Sequence, residues 1–471
     1  MVDRTNKLRG MGRRRFVKSL VTMGVSAEAA LHLDKEKLEN ITGDPTEEVP
    51  RLGALKRPDA EKYEEPPYPE TLSEREPEYY TISHNDWMVA ETAFDAARKV
   101  QRRIDQLDDS GLISSKVIMQ SNNGTEPYHV GVVRSTRIRY DSFDKRTSLS
   151  ELSETKKETA DITVDELQGE LPDTVSGVAG EGDYETERDG IELRFSESVE
   201  WDESCDDEEC DEGTTGVEFF QHPYRYENDD GDITCATGCR IDTDPDGYDG
   251  TLSLGPRVKS TFGDPKFLTS AHGVFESDLD DDGEPEEDPQ DAIGRTIHQG
   301  GILNTDKIGE VDEIKDRRGE ESWPWDAALI ETYRVGIDEE LSAGNRLASD
   351  SGTNEFSGAL STAGRIGKDY YKDNMGPTCK QGIRTGRCEH TLWGYDEDPD
   401  RPDQIELMRD ASDGGGDSGC PYFVDENGDF MVSGLHRAGD RRDPGDGWPP
   451  QDLALGIWIG DIEDGFNVEV V

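Results

Sequence analysis

The segment Gly416-Asp417-Ser418-Gly419-Cys420-Pro421 places a serine in a glycine-framed turn with an aspartate just before it. A hydroxyl is a poor nucleophile near neutral pH until a base takes its proton, so the chemistry of this turn depends on what else the chain supplies. Of eight histidines, His272 alone has a distinctive frame: it ends the short run Phe267-Leu268-Thr269-Ser270-Ala271, which predicts a strand delivering an imidazole into a cleft. Taken alone, such a histidine is more often a satisfied strand end. Most acids here sit among other acids, but Asp326 lies beside Trp323 and Trp325 and ahead of the apolar run Ala327-Ala328-Leu329-Ile330. A carboxylate there is expected to be buried, and a buried charge needs a partner. An imidazole N–H is a suitable one, and the acid would then fix the tautomer and stabilise the imidazolium. Serine, base and buried acid together point to acyl transfer.

The elements that must position these groups are also legible. Tyr422-Phe423-Val424 reads as a strand, Asp425-Glu426-Asn427-Gly428 as a tight turn and Met431-Val432 as the returning strand; Asn-Gly supplies the positive φ angles a two-residue hairpin needs. Glycines 414, 415, 416 and 419 let backbone amides approach a substrate carbonyl. Further upstream, Trp87, Ala90, Phe94, Ala97, Val100, Ile104 and Leu107 recur every three to four residues, which predicts a helix capped by Asp86 and ended by Gly111. Alternating runs at 116–120, 128–140 and 191–195 predict strands. Residues 76–205 are therefore expected to form a small α+β domain without a catalytic constellation of its own, serving as an intramolecular chaperone or inhibitor, or as a docking domain.

Thr269-Ser270-Ala271-His272, Asp326-Ala327-Ala328-Leu329 and the Ser418 turn resemble the chymotrypsin/trypsin-like serine proteases, in motif and in the order His, Asp, Ser. Cys379-Lys380-Gln381-Gly382-Ile383-Arg384-Thr385-Gly386-Arg387-Cys388 is similar to the cysteine-bracketed hairpin of secreted bacterial members. The resemblance covers residues 217–471. It implies an all-β catalytic domain of two antiparallel six-stranded Greek-key barrels, and peptide-bond hydrolysis through an acyl-enzyme. His272 would be the base, Asp326 its orienting acid and Ser418 the nucleophile, with an oxyanion hole from the backbone N–H groups of Gly416 and Ser418. It also implies that Asp417 is the buried acid which, in zymogen-activated members, pairs with a new N-terminal amine. Substrate would contact Ser412, Asp413, Ser433, Gly434 and His436. The stretch Gly434–Gly439 is similar to one in glutamate-specific members, whereas Asp413 argues for a basic substrate side chain. Cys420 departs from the family's glycine, either filling space or narrowing the site, and Gly273 stands where vertebrate members carry a cysteine.

The chain has 471 residues, a formal net charge of -55 and 32% hydrophobic residues. The acids are spread along the whole sequence. With these motifs demanding a fold, that surface reads as adaptation to high salt, where screening relieves self-repulsion, and the resemblance is to a secreted, salt-adapted, archaeal-type member. The charge argues against nucleic-acid partners, which need basic patches; protein or peptide substrates are expected instead. Cys379–Cys388 is the best disulfide candidate; Cys205, Cys210, Cys235 and Cys239 fit two small disulfides or a four-thiolate zinc site. Asp278, Asp280 and Asp282 open an incomplete calcium loop, as does the similar run at 242–247, since neither has an acid at its twelfth position; no other cofactor is expected.

Arg13-Arg14-Arg15-Phe16-Val17-Lys18 resembles a twin-arginine export signal, with Ala27-Glu28-Ala29 similar to a cleavage site. Residues 1–29 are thus expected as a signal region and 30–75 as an acidic, proline-rich linker; the alternative is a basic stub on a cytoplasmic protein. No segment is apolar enough to span a bilayer. Besides a secreted endopeptidase, the sequence admits a catalytically inactive trypsin-like binding scaffold and an intracellular regulatory protease.

Overall fold

The computed structural model describes residues 12–42, 47–63, 69–108, 110–119, 128–138, 157–181, 185–202, 226–227, 233–234, 238, 240–243, 251–261, 263–275, 289–299, 306–316, 325–332, 346–347, 360–382, 386–397, 401–408, 417–426, 429–443 and 451–471. Its first elements are helices α1 (Arg13–Thr22), α2 (Ala27–His32) and α3 (Lys35–Ile41), strands β1 (Glu48–Lys56) and β2 (Glu76–Ser83), and the long helix α4 (His84–Ile104). Next come β3 (Ile113–Ile118), β4 (His129–Ile138), β5 (Lys157–Thr159), α5 (Val164–Glu170), β6 (Thr174–Ala179) and the long β7 (Thr186–Asp202).

Two short strands, β8 (Tyr226–Glu227) and β9 (Ile233–Thr234), pair with each other. A second sheet contains β10 (Arg240–Asp242), β11 (Thr251–Ser253), β12 (Arg257–Lys259), β13 (Pro265–Thr269), β14 (Thr296–Gln299), β15 (Asp306–Asp316) and β16 (Asp326–Thr332). The chain continues through β17 (Arg346–Leu347), β18 (Leu360–Ile366), α6 (Lys368–Lys372), β19 (Thr378–Gly382), β20 (Gly386–Asp396) and β21 (Gln404–Met408). It ends with β22 (Pro421–Glu426), β23 (Asp429–Asp443), β24 (Gln451–Trp458), α7 (Ile459–Phe466) and β25 (Glu469–Val470).

Strands β19, β20, β21, β24, β23 and β22 each pair antiparallel with the next, and β22 pairs back to β19, so six strands close into a barrel. The hairpin expected at Asn427-Gly428 is present as the pairing Glu426↔Asp429. The other expected barrel does not close among the described residues. Its strands form an open antiparallel sheet ordered β11-β10-β14-β15-β16-β13-β12-β25, a half-barrel with its own core of Ile241, Leu252, Phe267, Val311, Ala328 and Ile330.

In α4, the six predicted face positions from Trp87 to Ile104 are buried. Its N-cap is Ser83, whose hydroxyl accepts from Asp86 N at 3.1 Å, rather than Asp86. The carboxylate of Asp86 sits in the first turn, where it accepts the Ser83 O–H at 2.7 Å and favours the positive end of the helix dipole. The α+β region shares strand pairing and core with the barrel. Pairing of β3 with β20 and of β7 with β23 makes one sheet across both parts, and Phe94, Val100 and Ile113 share a core with Leu435 and Ile457.

The N-terminal segment departs most from expectation. Phe16 and Leu20 on α1 are buried, Ala29 of the expected cleavage site is buried inside α2, and the expected linker contains α3 and β1. Strand β1 joins the sheet by pairing antiparallel with β18, Ala54 facing Ile366. Arg51 in this strand is fully buried despite its charge. Its guanidinium lies 2.7 Å from Asp373, 3.3 Å from Asp369 and 3.4 Å from Glu91. Asp369 also accepts from Leu52 N at 2.9 Å and Ser26 Oγ at 2.8 Å, and Asp373 from Tyr80 Oη at 2.7 Å. Among the described residues, no helix is long and apolar enough to cross a membrane.

Breaking a buried ion pair from one side leaves the other charge uncompensated. Arg51→Met should therefore lower unfolding stability by about 3–5 kcal/mol, read by denaturant melts at fixed salt. His129, at the start of β4, is held neutral because burial pushes its pKa down to about 4, with Arg194 adding to the shift. A histidine whose folded value is depressed gives the unfolded chain more protons between about pH 6.5 and 4, so stability falls as pH drops through that window. His129→Gln should flatten the decline between pH 7 and 5 by up to about 2 kcal/mol, measured by melts across pH.

Candidate active site

His272 follows β13 and Asp326 opens β16, two neighbouring antiparallel strands whose register pairs Thr269 with Ala328. Counting back along that register brings residue 326 opposite the residues that follow Thr269, so the sheet itself sets the acid beside the base. The carboxylate grips the histidine twice. Asp326 Oδ1 accepts from the His272 backbone N–H at 2.9 Å, and Oδ2 lies 2.7 Å from the ring Nδ1. A carboxylate only accepts, so Nδ1 carries the ring proton and the lone pair falls on Nε2. Both residues are buried.

Ser418 sits in the turn entering β22. The turn is pinned to both sheets: Ser253 N of β11 donates to Ser418 O at 2.9 Å, and Gly419 N donates to His436 O of β23 at 2.9 Å. Gly419 has φ +84°, and a Cβ there would stand 2.4 Å from Thr269 Oγ1 and 2.8 Å from Ser270 N. The serine turn therefore presses on the end of β13, two residues before His272, and only glycine allows the approach. Ser418 Oγ is buried and makes no hydrogen bond among the described residues. Catalytic hydrogen bonds often tighten only once substrate is bound. The arrangement supplies a hydroxyl, an oriented base and a buried acid at the junction of two β-sheets, the parts an acyl transfer requires.

Asp417 has a partner that the sequence did not identify. Lys380 of β19 donates to Asp417 Oδ2 at 2.9 Å, and both side chains are fully buried. A Cβ at Gly382 would lie 2.0 Å from Asp417 Oδ1, so that glycine makes room for the carboxylate. The cation paired with Asp417 is thus a side chain of the same chain. The clue was a lone lysine inside a strand whose neighbours Thr378 and Gln381 are also buried. Cys420 is fully buried and its carbonyl accepts from His436 N at 2.9 Å.

Ser433, Gly434 and His436 lie together on β23. His436 is fully buried, with Nδ1 2.7 Å from the Tyr422 hydroxyl, a contact the sequence did not reveal. Ser412, Asp413 and Gly416 lie outside the described residues, as do Asp278, Asp280, Asp282, Cys205, Cys210, Cys235 and Cys239. Cys379 faces Glu389 and Lys380 faces Cys388 across the β19–β20 hairpin. The Cys388 side chain is outside the described set, so the disulfide remains an expectation.

No family model matches this sequence, and no curated protein does. Solved serine proteases resemble half of it. A glutamic-acid-specific serine protease that uses a histidine triad in substrate binding is 14% identical, covering 50% of this chain and 100% of its own, with a TM-score of 0.32. The Nocardiopsis protease NAPase is 13% identical over 50% of this chain and 99% of its own, with a TM-score of 0.31. Protease A of Thermobifida fusca is 14% identical with the same coverages and a TM-score of 0.30. The likeness is distant, and the chemistry rests on the geometry above.

The Lys380–Asp417 pair adjoins the Ser418 turn. Lys380→Met should cost about 3–5 kcal/mol by stranding the Asp417 charge, whereas Lys380→Arg should cost less by keeping it compensated; parallel denaturant melts of the two variants check this.

Proposed function

We propose that the chain is a serine endopeptidase working through His272, Asp326 and Ser418. The observation that carries this reading is the double grip of Asp326 on His272, through the backbone N–H and Nδ1, at the end of a strand that touches the Ser418 turn. In the first step His272 Nε2 takes the Ser418 proton as Oγ attacks the peptide carbonyl carbon. The imidazolium formed is stabilised by Asp326, and the carbonyl electron pair moves onto oxygen. Collapse of this intermediate breaks the C–N bond, with the imidazolium giving its proton to the leaving amine. Water then repeats the sequence on the acyl-enzyme. The backbone N–H groups of Gly416 and Ser418 are the proposed oxyanion donors, each worth about 2.7–4 kcal/mol of transition-state stabilisation in such sites.

On substrate choice, Ser433 and His436 are hydrogen-bond donors on β23. If the Tyr422 hydroxyl donates to His436 Nδ1, the remaining ring proton sits on Nε2, which suits an acidic substrate side chain. The chain's net charge of -55 fits activity in molar salt, where screening permits so acidic a surface to stay folded.

A fluorophosphonate should label the protein in molar salt, and Ser418→Ala should abolish the labelling. Asp326→Asn should lower kcat about 10⁴-fold by losing the tautomer control. Labelling that survives in Ser418→Ala, or wild-type protein that cannot be labelled while folded, would favour the non-enzymatic scaffold. A peptide library cleaved in the same salt reads the side-chain preference directly.

A further inference from the structure

A cavity of about 880 Å³ lies where the N-terminal helices meet α4 and the barrel. Its walls come from α1, α2, α4, the end of β6, α6 and the start of α7, and none of His272, Asp326 and Ser418 is among them. The volume falls within the range of small-molecule sites. Its charges are not balanced. Each lysine or arginine on the walls already has a carboxylate. Arg98 meets Glu397 at 2.6 Å and Arg365 meets Glu28 at 2.7 Å. Lys368 meets Asp403 at 2.6 Å and Lys372 meets Glu91 at 3.0 Å. The wall carboxylates of Glu181, Asp461 and Asp464, by contrast, make no ion pair among the described residues. Burial raises the pKa of Asp461 and the Asp464 charge adds to the rise, while the Asp403 N–H and Lys368 oppose it.

The walls also hold donors with nothing to meet. Trp87 and Trp458 are 2% and 6% exposed, and neither indole N–H has a hydrogen-bond partner among the described residues. Leaving a buried donor unmet is costly, so an acceptor brought into the cavity would stabilise both. Close backbone holds the two rings: a Cβ at Gly24 would stand 2.5 Å from Trp87, and one at Gly460 would stand 2.2 Å from Trp458. The apolar part of the lining includes Val21, Val25, Val178 and Leu31, the last 65% exposed.

These features ask for one kind of molecule. Unpaired carboxylates need cations, indole N–H groups need acceptors, and an apolar wall suits methylenes. An anion would find every wall base engaged, and a polyamine lacks the acceptor. A peptide that contains lysine carries ammonium groups, carbonyl oxygens and four-carbon stems together. We propose that this cavity binds a short lysine-containing peptide, its amines met by Glu181, Asp461 and Asp464 and its carbonyl oxygens by the indole N–H groups of Trp87 and Trp458. This assignment does not depend on the serine protease reading above.

The test is calorimetric titration of trilysine into the full chain, at one salt concentration that keeps it folded. Ser418→Ala is run beside the wild type so that cleavage is not mistaken for binding. Both proteins should bind one trilysine, saturably and alike. Asp461→Asn keeps an acceptor for the Asp403 N–H but loses the charge, and should weaken binding about tenfold. Trp458→Phe keeps a ring and loses the N–H, and should weaken it about fivefold. Glu181→Gln, at an exposed position that does not endanger folding, should weaken it about threefold. Glu36→Gln makes the same change of charge at an exposed position of α3 outside the cavity and should change nothing. Triglutamate should not bind. Spermidine has amines but no carbonyl and should bind at least about tenfold more weakly than trilysine. The proposal is overturned if folded wild type shows no saturable binding, or if triglutamate or spermidine binds as tightly as trilysine. It is also overturned if several trilysines bind, or if Glu36→Gln weakens binding as much as Asp461→Asn, since either marks diffuse attraction to an acidic surface. Binding that is lost in Ser418→Ala would put the peptide at the serine and overturn it too. Intact trilysine binding by a protein that no fluorophosphonate labels would overturn the protease reading alone.

Discussion

Strand β23 is the constraint on which the rest of the molecule depends. It closes the six-stranded barrel between β22 and β24, receives β18 in parallel at Phe430–Val432, bonds the Ser418 turn through His436 and carries the end of β7. A β-strand has only two edges, and their hydrogen-bonding groups must be satisfied when buried. Over its 15 residues β23 meets that demand with four different strands and one turn. The Ser418 turn lies between two of these partners and is bonded to β23 through His436.

The second organising feature is how a very acidic chain uses its few bases. Arg51, Lys116 and Lys380 are each buried or nearly so, and each meets carboxylates: Arg51 those of Asp369 and Asp373, Lys116 that of Glu406, Lys380 that of Asp417. Arg365 in β18 likewise bridges Glu463 of α7, at 2.5 Å, and Glu28 of α2, at 2.7 Å. Buried pairs of this kind add little net stability compared with apolar packing, but losing one partner is costly. They therefore act as registry marks, fixing how the N-terminal helices, the α+β region and the barrel meet. Burial also raises the pKa of Asp369 and Asp373 while the Arg51 guanidinium opposes it, so the clusters stay ionic only while their cations remain in place.

Local chemistry was legible where the sequence broke its own acidic pattern. His272 after an apolar run, Asp326 beside Trp325 and the glycine turn around Ser418 each stood out from a background of solvated charge, and the first two meet at 2.7 Å. The face of α4 followed from its spacing, and the Asn427-Gly428 hairpin from its turn residues. In the N-terminal segment, burial does not follow the pattern of charges in the sequence. Lys18 and Glu28 interrupt its apolar residues, yet Lys18 lies on the exposed side of α1 while Phe16 and Leu20 point inward, and Glu28 is paired with Arg365. A charge in a sequence looks solvated until its partner, here 337 residues away, is known.

The sequence by itself determined the chemical kit, the order His, Asp, Ser, and the local elements that carry them, because these depend on residue type and short spacing. Only the tertiary structure decided the partners. That Lys380 neutralises Asp417, that Tyr422 holds His436, that β1 joins β18, and that β7 lies along β23 are all pairings across tens to hundreds of residues. Such pairings are chosen by which buried hydrogen-bonding groups and charges can be satisfied together, and that condition exists only once the chain is folded.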